Sequence, residues 1–220
     1  KYGYDYYANV RRAEAWASGC FTFAGLDAAV AGRIGYSKFW RDGLVRKGLF
    51  PGLDANGEPM TYDGKIITTY DPITGEAITS LGKSEVKNFL TGAAKLNLSY
   101  VIRGGHRIYA DAAYIADAPT FNQTFISPRT RNSIVPDLKT VKTLTADLNY
   151  AYSNSGYDVR VTGFYTTIKD QSKVMSFYDD AQNSFTNFAM SGMDERHIGM
   201  ELGFKVPLPV PNLSLQGVLS

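Results

Sequence analysis

The chain has 220 residues, of which 44% are hydrophobic and 20% charged, and its formal net charge is +2. That length suits one large all-β domain, and so even a charge balance argues against nucleic acid or an acidic surface held by bulk electrostatics. A single cysteine, Cys20, excludes an internal disulfide or thiolate-rich metal site and reads as a small apolar filler.

No run of about 18 apolar residues is present, which excludes a membrane-spanning helix but not membrane strands, since these are only half apolar. With 15 Tyr, 12 Phe and 21 Gly the composition suits strands and turns. The chain opens on Lys1 without a leader and stops at Ser220 within a strand pattern, so it reads as a single segment, 1–220, of something longer.

The first strand is expected from Arg12 to Phe23, with a helix over Val10 to Ala17 as the alternative because Ala, Arg and Glu favour helices. Gly25-Leu26-Asp27 turns it into a second, Ala28 to Trp40, where Val30, Gly32, Ile34 and Tyr36 oppose Ala31, Arg33, Gly35 and Ser37. From Arg41 to Val86 the pattern gives way to Gly, Pro, Asp and Thr, a long loop. Within it Asp54, Asn56 and Glu58 around Gly57 resemble the start of a calcium loop, but the remaining ligand positions do not follow, so a surface turn is expected.

The third strand, Asn88 to Ile102, sorts cleanly, with Leu90, Leu96, Leu98 and Tyr100 on one parity and Thr91, Lys95, Asn97 and Ser99 on the other. A turn at Arg103 to His106 leads to a fourth strand that sets Ile108, Ala110, Ala112 and Tyr114 against Tyr109, Asp111 and Ala113. A second long loop, Asp117 to Lys139, carries three prolines, Phe121, Phe125, Arg129 and Arg131.

The fifth strand, from Thr143, sets Leu144, Leu148, Tyr150 and Tyr152 against Thr145, Asp147 and Asn149. Asn154-Ser155-Gly156 turns it into a sixth, Tyr157 to Lys169. A third irregular stretch is expected from Asp170 to Met193, followed by a seventh strand ending at Val206, in which Ile198, Met200, Leu202 and Phe204 alternate with His197, Gly199, Glu201 and Gly203. A Pro-rich turn then leads to an eighth strand from Leu213.

Links after strands one, three, five and seven are short and those after two, four and six long, so the long loops share one edge of an antiparallel up-and-down meander. That asymmetry is expected of outer-membrane barrels, with short periplasmic turns and long outer loops, whereas Greek-key sandwiches scatter their long connections. Trp40, Tyr100, Tyr114, Tyr152, Tyr157 and Phe204, near strand ends, are the expected interfacial aromatics.

The run Ala118-Pro119-Thr120-Phe121-Asn122, then Ser127-Pro128-Arg129-Thr130-Arg131-Asn132 and Pro136-Asp137-Leu138-Lys139, resembles the barrel of TonB-dependent outer-membrane receptors. Gly163 to Asp170 and His197 to Gly203 are similar to strands that follow in that family. Thr140-Val141 and Asp147 depart from its usual Pro-Glu and Glu.

The resemblance implies a barrel of about 22 strands, of which this is a third. It also implies a plug domain and TonB as partners, outer-membrane lipid around the wall, a bacterial outer-membrane location, and transport of a small-molecule or oligosaccharide solute. Neither a cofactor nor nucleic acid is implied.

No convergent acid, base and nucleophile set is present, so no catalytic residue is assigned. His106, His197 and Asp179-Asp180 read as rim histidines and turn acids, and no metal ligands are assigned. Arg33, Lys95, Asp111, Asp147 and Glu201 share the polar parity, which in a barrel faces the lumen. The loop candidates for solute contact are Phe121, Phe125, Arg129, Arg131, Phe177, Tyr178 and Phe185, because aromatic rings stack on sugars or apolar solutes and Arg forks onto carboxylate or phosphate. Two other readings stay open here: a self-contained eight-stranded barrel with a structural or adhesive role, and a soluble carbohydrate-binding or hydrolysing β domain.

Overall fold

The computed structural model describes residues 3–181 and 183–220, and of Ser184 its backbone alone. Its main sheet is an antiparallel meander of β1 (Tyr6–Phe23), β2 (Leu26–Gly43), β6 (Lys87–Ile102), β7 (His106–Asp117), β8 (Val141–Asn154), β9 (Tyr157–Asp179), β10 (Ser184–Pro207) and β11 (Ser214–Leu219). Three short strands, β3 (Thr61–Tyr62), β4 (Lys65–Ile66) and β5 (Gly82–Lys83), lie in the connection after β2, and one turn of helix, α1 (Phe121–Thr124), lies in the connection after β7.

Two of the tight turns show why the register holds. Ala24-Gly25 and Ser155-Gly156 both have positive φ at each residue (48° and 83°, 53° and 84°). A two-residue loop of that shape matches the right-handed twist of its flanking strands and locks their pairing. Phe23 is thereby set opposite Leu26 and every later pair follows, down to Tyr6 opposite Gly43. The expected first turn at Gly25 to Asp27 is thus one residue shorter and earlier, and β1 extends six residues before Arg12 with no helix.

Cross-strand partners share a face, so the register sorts the sheet. One face carries Ile34, Leu90, Leu96, Leu98, Ile108, Leu144, Leu148, Ile198 and Met200. No described residue covers its middle: Ile34 is 62% exposed, Leu148 60% and Ile198 78%. The six expected interfacial aromatics are all on this face, Trp40 and Tyr114 toward the long loops and Tyr100, Tyr152, Tyr157 and Phe204 toward the short turns.

The opposite, inner face is covered only at the long-loop end. There the chain 44–86 and 118–140 folds over it, burying Ser37, Phe39, Arg41, Phe89 and Thr91. The buried apolar side chains include Phe39, Phe89, Ile78, Phe125 and Val135, so the core lies between loops and sheet rather than between two sheets. That overturns the soluble β domain, which would bury the apolar face against a second layer. The closed eight-stranded barrel is also overturned, because β1 and β11 remain unpaired edges.

The third long connection differs from expectation. Asp170 to Met193 is largely a two-stranded ribbon, in which β9 and β10 continue past β8 with Gln171 opposite Met193 and Asp179 opposite Ser184. The ribbon extends about 30 Å at the usual rise per residue. Asp170 (φ 59°) and Gly192 (φ 71°) stand at the two register shifts where it leaves the sheet. With neither face buried, it has no apolar alternation to reveal it.

Candidate functional site

Because pairing fixes facing, the side chains of the inner face can be taken row by row. Trp16, Arg33, Ala93, Ile115 and Thr143 form one row, and Ser18, Ala31, Lys95, Ala113 and Thr145 the next toward the short turns. Below these come Cys20, Ala29, Asn97, Asp111 and Asp147, then Thr22, Asp27, Ser99, Tyr109, Asn149, Thr162 and Glu201. All five polar-parity residues expected on one face, Arg33, Lys95, Asp111, Asp147 and Glu201, are therefore on it, spread over four rows.

Their chemistry differs. Arg33 reaches across the small Ala93 on β6 to Asp117 Oδ1 at 2.6 Å and to Glu14 Oε1 at 3.3 Å, while Arg12 joins the same two carboxylates at 2.6 Å (Glu14) and 3.3 Å (Asp117). Gly35 makes room for this network, since a Cβ there would meet Thr91 Oγ1 at 2.7 Å and Glu14 Cγ at 2.9 Å. Asp111 accepts from Asn97 Nδ2 at 2.7 Å, and Asp147 accepts from Asn149 Nδ2 at 2.5 Å. These two carboxylates stand directly opposite each other, which side-chain amides rather than cations offset.

Lys95 is exposed and joins no salt bridge among the described residues. It lines a hollow of about 250 Å³ with Trp16, Arg33 and Asp117, floored by Ala31 and Ala93. Trp16, 76% exposed, was not among the sequence candidates, and the parity it shares with Arg33 through the β1–β2 turn is the signal that finds it. Cys20 is exposed on this face, which corrects its reading as packed filler.

The loop candidates differ in their surroundings. Phe121 stacks on Tyr6 with ring centroids 6.4 Å apart and meets Phe125 tilted at 38° and 4.6 Å, and Phe125 is fully buried, with no ring face left for a solute. Arg131 lies over the Phe50 ring at 5.2 Å, and burial lowers its affinity for its proton. Arg129 lies over the Tyr4 ring at 5.3 Å.

Phe177, Tyr178 and Phe185 are exposed on the ribbon, where Tyr178 and Phe185 meet edge to face at 5.4 Å and the Tyr178 hydroxyl donates to Asn183. Phe188 and Met175 pair on the ribbon's other face. Of the seven, Phe121, Phe125 and Arg131 pack within the loops, Arg129 is exposed beside Tyr4, and Phe177, Tyr178 and Phe185 are exposed on the ribbon.

Arg41, which sequence reasoning passed over, joins the loops. Its guanidinium donates to Pro128 O at 2.6 Å, Ser80 O at 2.8 Å and the Asn132 side-chain oxygen, and lies 5.0 Å above the Tyr6 ring. Asn132 in turn donates to Leu81 O and Gly82 O, each at 3.2 Å. A cleft of about 390 Å³ runs between the two loops, lined by Asp71, Lys83, Glu85, Lys87, Asn132 and Asp137 among others.

The Asp54 turn closes on itself: its carboxylate accepts from Glu58 N–H at 2.9 Å and Asn56 N–H at 2.8 Å, which holds it below the usual carboxylate range. No cluster of three or more His, Cys, Asp or Glu able to hold a metal occurs among the described residues. His106 instead shares a 2.6 Å hydrogen bond with the Tyr150 hydroxyl on the outer face.

Residues 69–218 match the family described as TonB dependent receptor-like, beta-barrel. Three solved structures share the fold at 13% sequence identity. The copper transporter OprC is covered over 27% of its chain by 91% of this one, with a TM-score of 0.59. The ferric-catecholate import receptor Fiu from E. coli K12, in its closed form, is covered over 26% by 93% of this one at 0.52. The siderophore receptor PirA from Pseudomonas aeruginosa is covered over 43% by 96% of this one at 0.50. The chain thus spans between about a quarter and under half the length of these proteins, and no curated protein matches its sequence.

Proposed function

The chain belongs to the TonB-dependent receptor β-barrel family of the bacterial outer membrane, and on that premise we propose that it is part of the wall and outer mouth of a transporter for a scarce solute. The class proposed is a siderophore, a cobalamin-like compound or an oligosaccharide, admitted by binding and passage rather than by covalent chemistry. One observation carries the reading: an uncovered apolar outer face stands against a polar inner face over which two long loops fold at one end only. A lipid-facing wall has the first property and a gated mouth the second.

In this reading the loops after β2 and β7 and the β9–β10 ribbon point away from the cell, while the turns at Ala24, Gly104, Ser155 and Pro209 lie on the periplasmic side. A plug domain and TonB are the proposed partners, and Lys95, Glu201 and the Arg33 network line the path. The exposed rings of Phe177, Tyr178 and Phe185 make first contact, since aromatic faces take up sugars or aromatic chelators at small entropic cost.

The test is calorimetry on the whole receptor in detergent with a ferric catecholate, cobalamin and a linear oligosaccharide in turn. Phe177→Ala/Tyr178→Ala/Phe185→Ala is expected to weaken the one that binds at least tenfold while leaving heat-modifiable gel mobility intact. Unchanged affinity removes the ribbon from the site, and absence of binding to all three overturns the proposed solute class.

A further inference from the structure

The outer face is apolar almost throughout, so a cluster of cations on it needs a reason. At the long-loop end of this face, Arg11 on β1 and Lys38 on β2 are direct cross-strand partners, two like charges side by side. One step further toward the loops is Trp40, and Lys83 of β5 reaches it from the next strand. The Arg11 guanidinium lies 5.0 Å from the Trp40 ring centroid, the Lys83 ammonium 5.4 Å and the Lys38 ammonium 5.7 Å.

Three cations therefore surround one indole on a lipid-facing surface, and none of them forms a salt bridge among the described residues. Asp42 stands opposite Lys83 in the ladder and forms no salt bridge with any of the three. Asn88, the next partner of Lys38, is engaged by the Tyr36 hydroxyl at 2.6 Å.

The geometry points to a binding site for the phosphate group of an anionic lipid in the outer leaflet, seated between Arg11, Lys38 and Lys83 with its acyl chains on the apolar wall below. This rests on the wall having its long loops outward. Charge complementarity argues for the occupant. Cation–π attraction to Trp40 only partly offsets the mutual repulsion of three cations, and a phosphate dianion meets all three with charge-assisted hydrogen bonds. The location argues for a lipid over a soluble anion, because Trp at strand ends marks the headgroup level and Tyr36, Ile34 and Leu90 continue the same face toward the bilayer centre.

The basic residues farther along this face differ: Lys142, opposite Lys169, is held by Asp170 at 2.8 Å.

The experiment uses the whole receptor in neutral detergent, with phosphatidic acid and phosphatidylcholine of identical acyl chains added separately and retained lipid counted by native mass spectrometry. Phosphatidic acid is expected to be retained at least tenfold better than phosphatidylcholine and to raise the melting temperature. Arg11→Gln/Lys38→Gln/Lys83→Gln is expected to lose both effects. It is also expected to melt no lower than wild type in lipid-free detergent, because it removes repulsion.

Lys142→Gln/Lys169→Gln/Arg196→Gln removes equal charge elsewhere on the same face and is expected to keep the preference. Equal loss in both triple variants, or displacement of the lipid by excess inorganic phosphate, overturns the site as a lipid site. A lipid-free melting temperature lowered by the first variant overturns the argument from repulsion. Solute affinity is expected to be unchanged in that variant, so failure of this site and failure of the transport reading are distinguishable.

Discussion

Replacing Arg41 by Ala tests whether the two loops are held to the sheet as the structure implies. The side chain is 1% exposed and satisfies three acceptors on two connections, Ser80 O from the first and Pro128 O and the Asn132 side chain from the second. Truncation leaves these acceptors inside a closed contact and opens a cavity beneath the Tyr6 ring. At about 1 kcal/mol for each acceptor, the low end because a carbonyl keeps a second lone pair and water enters the gap, plus about 1 kcal/mol for the cavity, the loss is about 4 kcal/mol.

That cost falls on loop docking, because the strand ladder does not depend on Arg41's side chain. A loss of that size raises the opening equilibrium of the loops by about three decades, read as hydrogen exchange of residues 44–86 and 118–140 in micelles. Arg41→Lys keeps the charge but not the planar fork, and is expected to lose about half as much. Exchange in R41A within threefold of wild type, with the barrel band intact, would refute the assignment of Arg41 as the joint.

Three further outcomes are expected. Gly35→Ala puts a methyl 2.7 Å from Thr91 Oγ1 and 3.1 Å from Ala13 O, and should lower stability by about 1–3 kcal/mol, read from the midpoint of heat-modified gel mobility; an unchanged midpoint counts against the register. Asp71 accepts from Thr74 N–H at 3.0 Å and Ile73 N–H at 2.8 Å, bonds that hold its carboxyl below the usual range. Its contribution is present above about pH 4 and lost as pH falls through the depressed value, so protection of the Ile73 and Thr74 amides, measured against their intrinsic exchange rates, should fall only in acid, and protection lost toward neutral pH would contradict this. The segment expressed alone should aggregate or associate edge to edge, because β1 and β11 are unpaired; a monomer with cooperative unfolding in plain buffer would sink that expectation.

Outside the β9–β10 ribbon, the strands between Leu90 and Phe204 were legible because one parity of each is mainly apolar through its middle, and a period-2 pattern fixes both strand and facing. Arg33, Lys95, Asp111, Asp147 and Glu201 fell on one face for the same reason. The β9–β10 ribbon was not legible: Met175 shares a face with Phe188 and Phe177 with Thr186, while Tyr178 and Phe185 occupy the other, so both faces mix apolar and polar residues. Phe125 is buried against Phe121 and bridged to Ile134 rather than free, and the sequence hides this because loop aromatics carry no period. Arg41 was invisible for a different reason: a lone Arg at a strand end looks like any rim cation until residues about 40 and 90 positions away close on it.

The small side chains of the inner face connect these observations. Ala31, Ala93 and Ala113 leave Lys95 standing clear of the sheet, and Ala93 lets Arg33 span β6 to reach Asp117. A packed interior of a small barrel would fill those positions with bulky side chains, whereas a wide lumen needs an unobstructed wall with charges held at fixed places. Arg12, Glu14, Arg33 and Asp117 fix each other, while Lys95 and Glu201 join no salt bridge among the described residues. The inner wall thus combines a fixed charge network with single charges, Lys95 and Glu201 among them, that join no salt bridge among the described residues, an arrangement that neither an all-paired nor an all-apolar wall has.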